Sequence, residues 1–101
     1  MIVVANRFRI AEGYEDAFVE RFQENLGGVS DFEGFVSFEL LVPGDDDTET
    51  FVALTRWESR EDFEAWTDSE AFAKSHSGDA PREMFEGHPI LEIHDVAHSE
   101  G

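Results

Sequence analysis

Apolar positions at the start of the chain alternate with period two. Ile2, Val4, Asn6, Phe8 and Ile10 share one face of a strand, and Val3, Ala5, Arg7 and Arg9 the other. The period then changes. Tyr14, Phe18, Phe22 and Leu26 recur at four-residue spacing, which predicts an amphipathic helix over 14–25 that Gly27 and Gly28 stop. Residues 29–34 read as a loop. Phe35 to Val42 reads as a second strand, with Val36, Phe38 and Leu40 set against Phe35 and Leu41, and 43–47 as a polar hairpin turn. In a third strand, 51–57, Phe51, Ala53, Thr55 and Trp57 face one way and Val52 and Leu54 the other. Residues 90–96 form the last strand.

Between the third and last strands lies the stretch WESREDFEAWTDSEAFAKSH, residues 57–76. Ser59 with Asp62 three residues on is a helix-start signal, and Phe63 and Trp66 then lie on one side of the helix. Thr67 with Glu70 repeats the start signal, which predicts a helical arm over 59–76 with a break near Thr67. In one straight helix Trp66 and His76 would be roughly 15 Å apart along the axis and about 80° apart around it. A break lets both rings face one cavity. Residues 77–88 contain Gly78, Pro81 and Gly87 without a clean period and read as a long connection, with one helical turn near Arg82 to Phe85.

The order β-α-β-β-α-β predicts an α+β, ferredoxin-like fold, an antiparallel sheet with two helical arms on one face. It occupies a single domain over 1–98, with 99–101 as a frayed tail. Several strands are apolar on both faces, and two helices cover only one. A second copy of the chain is the economical cover, so the expectation is a homodimer that closes into a dimeric α+β barrel.

Composition narrows the partners. Asp and Glu number 24 against 7 Lys and Arg, a net charge of −17 spread along the whole chain. Nucleic acid and anionic membranes are therefore poor partners. Dispersed acid suits a salt-loaded cytoplasm, where molar salt shortens the Debye length to about 3 Å. Hydrophobic residues at 41% argue against a disordered acidic tail. No apolar run spans a bilayer and no export signal opens the chain, so the expected location is the cytoplasm of a salt-in halophile. The absence of cysteine excludes a disulfide framework, a thiolate ligand and a Cys nucleophile.

The candidate chemistry is sparse, and each residue has an ordinary structural explanation. Asn6 is a polar residue on an apolar strand face and needs hydrogen-bond partners. Trp66 on a helix face is first a core aromatic. His76 at a helix end suits the last carbonyls as well as it suits a metal. His88, His94 and His98 have no ligand spacing. Arg7 and Arg9 read as surface ion pairs. No phosphate loop, nucleophile elbow, HExxH or EF-hand is present.

Residues Asn6-Arg7, Gly13, Glu20-Arg21-Phe22, Glu33-Gly34-Phe35, Leu54-Thr55, Trp57, Ser59, Phe63, Trp66, Ser69, Phe72 and His76 together resemble the antibiotic biosynthesis monooxygenase family. Within it the resemblance is to the Isd-type haem-degrading monooxygenases, marked by an Asn on the first strand and a Trp and a His on the second helical arm. That resemblance implies haem as both cofactor and substrate, with ring cleavage by O2 and release of iron. His76 would be the proximal iron ligand, Asn6 a hydrogen-bond donor on the distal side, and Trp66 the ring that presses the porphyrin out of plane. Phe8, Phe63 and Phe72 would be apolar walls. No flavin or nicotinamide motif is present, so electrons would come from an external reductase or a small reductant. Two other functions fit the same fold: a cofactor-independent monooxygenase acting on a quinone-like aromatic, and a non-catalytic haem-binding dimer.

Overall fold

The computed structural model describes residues 1–25, 29–75 and 81–101. Its elements follow in the order β1 (Ile2–Arg9), α1 (Glu15–Asn25), β2 (Phe35–Leu41), β3 (Thr50–Trp57), α2 (Arg60–Thr67), α3 (Glu70–Ser75) and β4 (Ile90–Asp95). Short 3-10 turns at Val29–Asp31 and Arg82–Met84 fill two of the connections. The strands form one antiparallel sheet in the order β2-β3-β1-β4, the arrangement expected of the ferredoxin-like fold.

Register decides which side chains share a face. Asn6 pairs with Ala53 and Leu91, Val4 with Thr55 and Ile93, and Ile2 with Trp57. These residues, together with Phe8 and Phe51, form the face that the helices cover. The second strand departs from strict alternation. Phe35 pairs with Trp57 and Ser37 with Arg56, so Val36 is an extra residue in a β-bulge. The bulge turns Phe35 onto the same face as Phe38 and Leu40, whereas simple alternation puts Phe35 on the opposite face from them.

The covered face carries two apolar clusters. In the first, Ile2, Val4, Val29, Trp57 and Trp66 are buried, and Phe32, Phe35, Phe63, Ala71, Phe72 and Ile93 pack against them. In the second, Ile10, Phe18, Phe51 and Met84 are buried, flanked by Phe8, Tyr14, Val19, Phe22, Leu40 and Phe85. Helix α1 thus covers one end of the sheet and the α2–α3 arm the other.

The break in the arm lies at Asp68–Ser69, as the paired start signals predict, but Thr67 is not the second cap. Its hydroxyl donates back to the Glu64 carbonyl (2.9 Å). Ser69 takes the role instead: its Oγ accepts the Phe72 N–H at 3.1 Å. The first signal holds, since Ser59 Oγ accepts the Asp62 N–H at 3.2 Å and donates to the Asp62 carboxylate at 2.9 Å. Residues 84–86, ahead of β4, are tied to the end of β1. Ala11 N–H bonds the Met84 carbonyl and Glu86 N–H bonds the Arg9 carbonyl, which plugs Met84 and Phe85 into the second cluster.

Candidate functional site

Asn6 marks the seam between the clusters. On β1 its neighbours along the same face are Val4, in the cluster under the α2–α3 arm, and Phe8, in the cluster under α1. Strand geometry therefore aims one short amide between two apolar bodies. Asn6 is half-buried, and its side chain makes no hydrogen bond to a described residue. Beside it on the same face, at the edge of the sheet, Leu91 is 55% exposed. An unpaired amide next to an uncovered leucine, on the face that the helices otherwise seal, is the strongest sign of a binding site in the fold.

Trp66 belongs to the cluster on the arm side. It is 8% exposed and lies in the same cluster as Val4. Phe32 meets it edge-to-face with centroids 4.9 Å apart, and Phe72 does so at 5.6 Å. Phe63 belongs to the same cluster but packs on Trp57, 6.0 Å away. Phe8 lies across the seam among Phe18, Phe22 and Phe85. Of the residues expected to form the site, Trp66, Phe63 and Phe72 gather on one side of Asn6, and Phe8 stands on the other. His76 lies outside the described residues.

Arg7 and Arg9 lie away from the seam. Arg7 alternates with Asn6 onto the uncovered face of the sheet, where its Nε is 2.9 Å from Glu92 Oε1. That hydrogen bond and the Arg7 charge hold the Glu92 carboxyl below the usual carboxylate range. Arg9 pairs with Glu49 at 3.1 Å. Both are the surface ion pairs expected of them. His88, His94 and His98 are exposed, and among the described residues no group of three or more His, Asp or Glu side chains could hold a metal ion.

Sequence reasoning missed four contributors. Leu91 looked like one more apolar residue of an edge strand, and only the register sets it beside Asn6. Phe32 sat in a stretch without periodicity. Met84 and Phe85 were an apolar pair in a long connection, a signal that the segment is anchored.

Comparison with known proteins shows the family of the chain. The family model described as antibiotic biosynthesis monooxygenase matches residues 1–78. A heme-degrading monooxygenase of Shouchella clausii is 36% identical over 97 residues, covering 95% of this chain and 90% of the relative. The structure of the heme-degrader MhuD from Mycobacterium tuberculosis, with two hemes bound in its active site, superposes with a TM-score of 0.82 at 29% identity over 100% of both chains. SnoaB, a cofactor-independent oxygenase from Streptomyces nogalater, shares the fold at a TM-score of 0.75 and 19% identity, covering 97% of this chain and 94% of its own. The chain belongs to the antibiotic biosynthesis monooxygenase family.

Proposed function

We propose that the protein is a haem-degrading monooxygenase, and that haem occupies the seam beside Asn6. The observation that carries the reading is the Asn6 amide, unpaired among the described residues between two apolar clusters. A flat, largely apolar ring with a polar centre suits such a site. Apolar clusters take the macrocycle, and one amide meets whatever polar atom sits at its middle. The heme-degrading names of the relatives support the same choice.

When bound, haem supplies both the iron that activates O2 and the ring that is oxidised, with iron set free. The chain's own residues supply the setting. Asn6 donates a hydrogen bond from the sheet into the seam, where the apolar walls keep it from being exchanged for water. Trp66 would be the wall against which the ring is held, and its own position is fixed by Phe32 and Phe72. His76 would hold the iron, as a neutral imidazole. Electrons arrive from an external reductase or a small reductant.

The uncovered face of the sheet belongs to the same proposal. Across it run Ile90, Arg7, Val52 and Leu41, then Glu92, Ala5, Leu54 and Glu39. At its margins Leu41 is 42% and Ile90 60% exposed, while Ala5 and Val52 at its centre are buried. A second copy of the chain covers this face and closes the dimeric barrel. Sedimentation at micromolar concentration in high salt should report a dimer, and a monomer would remove this part.

Two variants test the site. His76→Ala should abolish the specific haem spectrum, and an unchanged spectrum would overturn the ligand assignment. Asn6→Ala should bind haem yet turn it over about 100-fold more slowly, the usual loss for one preorganised donor. Full activity in Asn6→Ala would remove that amide from the mechanism.

A further inference from the structure

We infer that Phe32 and Gly34, in the turn before β2, are positioning residues that set the attitude of the Trp66 ring, and through it the rate of turnover; the second half rests on the haem reading. The observation is a two-point engagement between that turn and one face of α2. Asp62 and Trp66 are four residues apart in the helix, on one side and about 6 Å apart along the axis. Phe32 and Gly34 are two residues apart in the turn, a spacing of at most about 7 Å. The two pairs match. Trp66 meets the Phe32 ring edge-to-face at 74°, and Asp62 lies against the Cα of Gly34.

The second contact exists only because residue 34 has no side chain. The Phe35 N–H closes on the Phe32 carbonyl at 3.2 Å, and Gly34 takes φ +84° at the third position of this turn. A Cβ there would overlap the Asp62 carboxyl group. That carboxyl cannot swing away freely, because it accepts the Ser59 hydroxyl while Ser59 caps α2. The Gly34 carbonyl in turn accepts the Glu58 N–H at 2.8 Å, which ties the turn to the residue that leads into the helix. One contact fixes how far α2 lies along the turn, and the other fixes its rotation. Trp66, one turn on from Asp62, is held at the Phe32 contact.

The function of such a device follows from what Trp66 does in the proposed site. A ring that presses on a bound macrocycle acts through its angle and depth, not through its mere presence. A shift of about 1 Å in a positioning group can cost about 100-fold in rate.

The test uses the full chain carrying Trp57→Phe, so that Trp66 is the single emitter, with Phe32→Leu, Phe32→Tyr or Gly34→Ala added. In haem-free protein, Phe32→Leu and Gly34→Ala should each shift the Trp66 emission maximum and raise its acrylamide quenching by about twofold or more, with Phe32→Tyr close to the parent. With haem, the Kd should change by less than about threefold while turnover falls about 10- to 100-fold, again with Phe32→Tyr restoring it. Far-UV circular dichroism identifies a variant that has lost its fold, and Phe32→Leu, which keeps most of the buried volume, carries the test if Gly34→Ala does so. Parent-like Trp66 emission and quenching in Phe32→Leu would overturn the inference, and so would altered emission with parent-like turnover. A parent protein that never turns haem over sinks the haem reading instead, and the emission data still decide whether the turn holds Trp66.

Discussion

At the scale of single residues, the site is where the chain gives up stability. Asn6 occupies a position that its strand would fill with a valine or isoleucine, as Val4 does one step back, and its amide finds no partner among the described residues. Half-burying an unpaired amide costs free energy that a β-branched apolar side chain would not. Asn6→Val should therefore raise the urea-unfolding free energy of the haem-free protein by about 1 kcal/mol while abolishing turnover. A destabilised Asn6→Val would mean that the amide has a structural task. Asn6 was visible in the sequence as a break in an apolar alternation. Its place between two clusters was not, because that depends on which helix covers which end of the sheet.

At the scale of elements, periodicity and helix-start signals were enough to find each strand and α-helix among the described residues, though not the 3-10 turn at Val29–Asp31, and they failed where local chemistry competes with the pattern. Val36 defeats the alternation of β2 by bulging, and Ser69 displaces Thr67 as the cap of α3 because the break falls two residues later. Neither event has a signature in spacing alone: a bulge is chosen by cross-strand partners, and two hydroxyl residues two positions apart compete for one helix end. The arm itself hangs on its first cap. Ser59→Ala should cost about 1 kcal/mol in chemical denaturation, since it leaves the Asp62 N–H and carboxylate without the hydroxyl that both use. An unchanged midpoint would show that packing by Phe63 and Trp66 alone secures α2.

At the scale of the whole molecule, the fold class could be read from the chain, and the assembly of the candidate site could not. Trp66 and Phe63 reach the same cluster as Val4 only because β1 pairs with β3 in one register, and Leu91 meets Asn6 only because β4 returns to the other edge of β1. Sequence spacing carries no information about those long-range pairings. The charge of −17 acts at this scale too. Its self-repulsion bears on the compact chain and on any anionic ligand, so both folding and the proposed haem binding should strengthen as salt shortens the Debye length. The central claim meets its most direct test in a haem titration of the purified protein in about 1 M KCl, a salt level that leaves a Debye length of about 3 Å, followed by a reductant in air. A saturable Soret band that then bleaches as iron is released is the predicted result. A titration with no saturable band would contradict haem binding itself, and a saturable band that persists under reductant and O2 would leave a haem-binding dimer in place of a haem-degrading enzyme.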